Sequence, residues 1–173
     1  MSQHKFLVDS MNGKIAKWLR ILGHDTFYVS SAVEDSSILD SLRDRVLVTR
    51  DRDLAVRAMK YGKSCIFVPE DLEDALSIIS LKFGVRLKID LSTTRCPFCN
   101  ERLVRASREE VRSKIPRETL LSHRRFLVCP LCGKIFWFGT HYWEMLKTLS
   151  RVKKKKYERM EYWPMMRGDG NDL

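Results

Sequence analysis

Four short apolar runs punctuate the first half of the chain: Phe6-Leu7-Val8-Asp9, Thr26 to Val29, Arg45 to Thr49 and Ser64 to Val68. They are nearly all apolar rather than alternating, the pattern of strands buried on both faces of a parallel sheet. The stretches between them have helical spacing. Lys14 to Leu22 puts Ile15, Trp18/Leu19 and Leu22 on one face and stops at Gly23. Ser36 to Leu42 is a shorter helix, with Glu34, Asp35 and the serines available as caps. Leu54 to Tyr61 is closed by Gly62. Pro69 opens a longer helix to Phe83, with Glu70, Asp71, Glu73 and Asp74 in its first turns, where the helix dipole favours negative charge. Strands alternating with helices predict an α/β fold, a parallel sheet flanked by helices. Val85 to Thr94 is expected to be an edge strand and connection.

From Arg95 the pattern changes. Cys96-Pro97-Phe98-Cys99 and Cys129-Pro130-Leu131-Cys132 are two tight turns, each presenting a pair of sulfurs at the spacing of tetrahedral zinc. The runs after them, Glu101–Val104 and Lys134–Phe138, are β-like, so residues 93–150 are predicted to form a small zinc-ribbon module. Ser107–Lys114 and Pro116–Ser122 add two short helical insertions. Four thiolates close the coordination shell, which makes the zinc structural rather than catalytic. His123 and His141 are then read as packing or surface residues, and Cys65 as a buried small hydrophobe. Thr140 to about Arg159 has the spacing of a final helix carrying Lys153–Lys156. The expected division is 1–92 for the α/β domain, 93–150 for the ribbon, and 151–173 for a basic helical extension ending in a disordered tail after Pro164.

Composition sharpens this picture at two points. The hydrophobic fraction of 44% supports a packed core, and no apolar run approaches the roughly 20 residues of a membrane span. With no apolar segment near the N-terminus, the chain is expected to be soluble and cytoplasmic. The net charge of +10 is uneven: residues 1–95 hold 15 Lys/Arg against 13 Asp/Glu, and residues 96–159 hold 16 against 6. A basic second half points to a polyanion, most simply nucleic acid.

Candidate chemistry gathers where the strands end. Asp9 closes the first strand, and Thr49-Arg50-Asp51-Arg52-Asp53 closes the third. In an open parallel sheet ligands bind at that edge. Asp9, Asp51 and Asp53, with Asp35, could converge as oxygen ligands for a hard divalent ion. Blander readings stand beside this one. Asp53 and Asp35 could be helix caps, and Asp9 could be partnered by Lys14 or Arg50. The aromatics Phe136, Trp137, Phe138, Tyr142 and Trp143 could stack on unpaired bases or pack between ribbon and final helix.

The run Phe6-Leu7-Val8-Asp9, then Gly13-Lys14, Ala16-Lys17-Trp18-Leu19-Arg20 and Leu22-Gly23, resembles the opening of the Mut-seven C-terminal ribonuclease domain family. Leu47-Val48-Thr49-Arg50-Asp51, the double Cys-x-x-Cys and Gly139-Thr140-His141 follow in that family's order. The resemblance covers about residues 5–148. It implies a PIN-like nuclease fold fused to a zinc ribbon, and metal-dependent RNA cleavage; with the charge asymmetry and the aspartates, the expected activity is a single-strand-preferring endoribonuclease. It places the catalytic acidic set on Asp9, Asp35, Asp51 and Asp53, with Asp9 and Asp51 holding Mg²⁺ or Mn²⁺. Lys14, Lys17 and Arg50 are then expected to contact RNA phosphates. The sequence departs from the family where Ser36 and Ser37 follow Glu34-Asp35, and where Lys17 replaces an arginine. The alternative is a non-catalytic RNA- or ribosome-binding protein, or a protein-interaction module in which the ribbon is only a staple.

Overall fold

The computed structural model describes residues 4–29 and 35–166. Its larger sheet has four parallel strands, β1 (Lys5–Val8), β2 (Thr26–Tyr28), β3 (Arg45–Thr49) and β4 (Cys65–Phe67), in the order β2-β1-β3-β4. Helices α1 (Gly13–Ile21), α2 (Asp35–Ser41), α3 (Arg52–Lys60) and α4 (Leu72–Phe83) connect and cover them. The apolar strands fill two cores because successive side chains point to opposite faces. Phe6, Val8, Val46, Val48 and Ile66 meet α1 and α4, whereas Leu7, Leu47 and Cys65 meet α2 and α3. Each such fully buried side chain contributes roughly 1.5–3 kcal/mol of transfer free energy.

Strand order matters for function. From β1 the chain moves outward to β2, and from β3 it moves outward the other way to β4. The order therefore reverses between β1 and β3, and that reversal opens a crevice beyond their C-terminal ends. Asp9 follows β1 directly, and Arg50-Asp51 follow β3.

The second sheet is antiparallel, β5 (Val104–Ala106), β6 (Phe126–Val128) and β7 (Ile135–Trp137), with α5 (Arg108–Val111) and α6 (Arg117–Ser122) inserted between its first two strands. The last helix, α7, spans Thr140–Met166. Its bounds run past Pro164, beyond the predicted end, and it does not stand free. Leu149 and Val152 are buried in the core that covers α1 and α4. The basic extension is in part already partnered. Lys155 pairs with Asp71 and Asp74, Arg159 with Asp74, and Arg151 with Glu73. No helix among the described residues is long and apolar enough to cross a membrane.

Other sequence expectations need correction: the strand expected over Glu101–Val104 begins only at Val104. Val85 to Thr94 forms no strand; Val85 and Leu87 are buried while Arg86 and Lys88 are exposed, so the alternation marks one-sided burial of an extended segment without a ladder partner. The third helix starts at Arg52, two residues early, because Asp51 caps it in place of Asp53. Asp9 is partnered by neither Lys14 nor the Arg50 side chain. Glu34 and the tail from residue 167 lie outside the described residues.

Candidate active site and metal centre

Asp9 is only 5% exposed, at the end of a buried strand. A carboxylate there must be satisfied by local donors, and four supply it. Its Oδ1 accepts from the Asn12 side chain (2.6 Å) and the Met11 backbone N–H (3.2 Å). Its Oδ2 accepts from the Thr49 hydroxyl (2.5 Å) and the Arg50 backbone N–H (3.2 Å). The Thr49 Oγ1 in turn accepts from the Asp51 N–H at 2.9 Å. One buried hydroxyl thus couples the two strand ends.

Asp51 is exposed, and its Oδ1 caps α3 by accepting from the Leu54 N–H at 3.0 Å. Asp53 is exposed in the first turn of the same helix. Asp35 begins α2, and its side chain is not described. Among the described residues, three or more Asp, Glu, His or Cys side chains come within ligand distance of each other only at the four cysteines. Asp9 and Asp51 share a sheet edge, and among the described side chains no third carboxylate joins them at ligand distance.

The basic residues do converge. Lys14, Lys17, Arg20 and Arg50 line one groove of about 720 Å³, together with Met11-Asn12-Gly13, Tyr28, Glu70 and Phe98. Lys14 and Lys17 are exposed, a turn apart on α1, while Arg50 pairs with Glu70 at 3.4 Å. Tyr28 closes one wall. Its hydroxyl donates to the Ser10 carbonyl at 2.8 Å, and a Cβ on Gly13 would lie 3.3 Å from that hydroxyl. Glycine at 13 lets the ring lie against the start of the helix.

The four cysteine sulfurs lie within 4.8 Å of one another. Cys96 and Cys132 Sγ are 3.6 Å apart, and Cys99 and Cys129 Sγ 3.3 Å. Zinc–sulfur bonds of about 2.3 Å give tetrahedral edges of about 3.8 Å, so the cluster fits a single ion with little adjustment. Burial pushes the Cys96 thiol up to about 12, which opposes a thiolate there unless a cation offsets the charge. These four cysteines could bind a metal ion such as zinc. His123 and His141 are outside the cluster, as the sequence suggests.

The cysteine loop is fastened to the sheet by Arg20, on the same helix as Lys14 and Lys17, and by Asn100 and Asp25, to which the sequence pattern assigns no role. Arg20, 8% exposed, donates from Nε to the Thr26 carbonyl, and from one terminal nitrogen to the Pro97 and Phe98 carbonyls at 3.0 and 3.2 Å. Asn100, at φ +70°, donates to Asp25 and accepts from the Thr26 N–H. Burial works against the Asp25 carboxylate, but hydrogen bonds from Arg45 and Asn100 outweigh it and hold its pKa below the ordinary value. The signal for Asn100 was its place after Cys99, where a short polar residue tolerates the left-handed region.

A model of the Mut7-C RNAse domain family matches residues 4–149 of this sequence. The chain belongs to that family. No curated protein and no solved structure matches it. The family match spans both sheets and the start of α7. This Mut7-C chain therefore carries a nuclease- or RNA-related function, with RNA as the substrate the family implies. Its crevice and basic groove lie on one edge of the parallel sheet, and its cysteine loop forms part of the groove wall through Pro97 and Phe98.

Proposed function

We propose that the protein is a metal-dependent ribonuclease that cleaves single-stranded RNA endonucleolytically at the β1/β3 crevice. The observation that carries this reading is the convergence of Lys14, Lys17, Arg20 and Arg50 on one groove beside the loop that follows Asp9. Phosphate oxygens held by Lys14 and Lys17 would bring the backbone to the strand ends. Arg50 would meet the same strand, exchanging its long contact with Glu70 for a shorter one with phosphate.

The donor set is suited to Mg²⁺ or Mn²⁺, which take oxygen ligands and need only one or two carboxylates beside water and substrate phosphates. Asp9 and Asp51 would hold such an ion, which when bound supplies an activated water and neutralises charge on the leaving oxygen. Asn12 and Thr49 fix the orientation of the Asp9 carboxylate, as ligating carboxylates require. Asp51 offers its second oxygen, since Oδ1 faces Leu54. Asp35 and Asp53, at the starts of α2 and α3, would orient the attacking water. With water as the nucleophile, no covalent intermediate forms.

One observation favours a non-catalytic RNA- or ribosome-binding role instead. The four bonds to Asp9 and the cap that Asp51 Oδ1 places on α3 give both carboxylates a structural role of their own. Cleavage of a labelled single-stranded RNA with Mn²⁺, with Mg²⁺ and with neither separates the two readings. Asp51→Asn is the cleaner variant, because asparagine caps a helix as well as aspartate does. Its cleavage rate is expected to fall by more than the roughly 10–100-fold that losing a supporting hydrogen bond costs, with RNA affinity and zinc content unchanged. Binding without metal-dependent cleavage in the wild-type protein would leave the RNA-binding role standing alone.

A further inference from the structure

A second cleft of about 560 Å³ adjoins the basic groove and differs from it in chemistry. Its walls come from three parts of the chain: Trp18 of α1, Phe98 of the cysteine loop, and Phe136, Trp137, Phe138 and Tyr142 at the junction of β7 with α7. Packing accounts for some of these rings. Phe138 and Tyr142 meet edge to face with centroids 4.8 Å apart, and Phe98 and Phe136 are offset-stacked at 6.4 Å. Even so, Phe98 and Trp137 remain 55% and 40% exposed. Two lysines attend Phe98, with Lys17 Nζ 5.6 Å and Lys134 Nζ 4.7 Å from its ring centroid. A Cβ on Gly139 would come within 3.3 Å of the Trp137 indole nitrogen, so glycine there lets the indole lie close against the backbone.

The two hollows are continuous. Lys14, Lys17, Leu72, Pro97 and Phe98 line both. A strand with its phosphates on Lys14 and Lys17 therefore has exposed rings immediately to one side. Sites for single strands combine a positive groove that tracks the backbone with aromatic faces on which bases stack. A duplex, whose bases already stack on each other, gains nothing from such faces. We infer that the Phe98/Trp137 cleft seats unpaired bases of the RNA whose phosphates lie in the basic groove, an inference that rests on the RNA reading above. Phe98 sits at the shared lip with lysines beside it, and takes the first base. Trp137 lines only the second cleft, at the β7/α7 junction, and takes a neighbouring one.

The test uses the full chain and a fluorescent ten-nucleotide oligouridine, beside an abasic ribose-phosphate strand of the same length and a blunt RNA duplex. Binding is measured without added Mg²⁺ or Mn²⁺. Phe98→Leu and Trp137→Leu keep an apolar side chain but remove the aromatic face, and melting temperature with zinc content verifies that each variant folds. Each is expected to weaken oligouridine binding roughly 5- to 150-fold, the range for loss of one stacked base, while abasic and duplex affinities hold. Lys14→Ala with Lys17→Ala should weaken both single strands and lower the salt slope by about 0.7 per lysine. Unchanged oligouridine binding by both leucine variants, with the lysine variant still impaired, overturns the base subsite and leaves the RNA groove intact. Dimerisation of the wild type that is lost in Trp137→Leu, with RNA affinity untouched, assigns the cleft to a second copy of the chain and also overturns it. A wild type that binds none of the three probes removes the RNA reading itself.

Discussion

At the scale of single residues, Thr49 is the hinge between a structural and a chemical account of the strand edge. Fully buried, it donates to Asp9 and accepts from the Asp51 N–H, so its hydroxyl serves both aspartates. Thr49→Val keeps the shape and removes both bonds. A hydrogen bond to a charged group is worth about 1.5–3 kcal/mol, and the loss should appear as a lower urea midpoint at constant m value. If Asp9 also serves catalysis, cleavage should fall by roughly 10–100-fold in the same variant. A stability loss without a rate loss would limit Asp9 to the fold. His24 makes a separate point about pH. Burial lowers its pKa although its Nδ1 lies 3.0 Å from the His4 carbonyl, whose hydrogen bond acts the other way. The unfolded chain therefore binds a proton more readily than the folded one. Stability is lost as pH falls from the unfolded value, about 6.5, toward the lower folded value. Urea midpoints between pH 7.5 and 5 are expected to drop for the wild type and to flatten in His24→Asn. An equal slope in both would assign the drop to other groups.

At the scale of elements, the question is what holds α7 to α4. Ion pairs are conspicuous there, but Asp71 is more than half exposed and Asp74 still meets solvent. Hydrogen bonding to Lys155 holds the Asp71 carboxyl down to about 2, yet exposed pairs contribute only about 0.2–1 kcal/mol each. Leu149 and Val152 are buried in the main core, so apolar burial should dominate. Leu149→Ala is expected to cost about 2–5 kcal/mol, and Asp74→Ala about 1 kcal/mol at low salt and less at high salt. The reverse ranking would make α7 an electrostatic strap. This junction also shows what could be read from the sequence. The four parallel strands and the paired cysteines were legible, because continuous apolar runs and Cys-x-x-Cys spacing each follow from a single local cause. The lysine run at 153–156 carried no mark of its acidic partner some 80 positions away. At Val85 to Leu91 a true period of two was present, and the structure uses it for burial without pairing. Asp9 was legible as a residue in need of partners. That Thr49 and the Arg50 N–H would serve it depended on β1 and β3 lying side by side, whereas Asn12 is a local partner three residues on.

At the scale of the whole molecule, the two sheets are joined by a few polar bonds that depend on the shape of the cysteine loop. Arg20 reaches the Pro97 and Phe98 carbonyls only while the loop holds them in place, and Asn100 bridges to Asp25 and Thr26 under the same condition. A metal ion at the four cysteines would thus stabilise more than its own module. Its removal frees the loop, and Arg20 is left with fewer acceptors in a site 8% exposed, where an unpaired charge is costly. Zinc chelation is therefore expected to speed amide exchange at Thr26–Tyr28 as well as across 95–138, and to lower the melting temperature of the entire chain. Arg20→Met separates the cause from the ion. With an apolar side chain there, the loop can still bind zinc at full stoichiometry, but exchange at β2 should no longer respond to chelation. Because Pro97 and Phe98 wall the basic groove, the same variant should, on the proposed RNA reading, also weaken oligouridine binding while its zinc content stays intact. If chelation loosens β2 equally in wild type and Arg20→Met, the coupling runs through Asn100 alone. If it loosens β2 in neither, the ion supports only the antiparallel sheet, and the groove owes its shape to α1 and the strand ends.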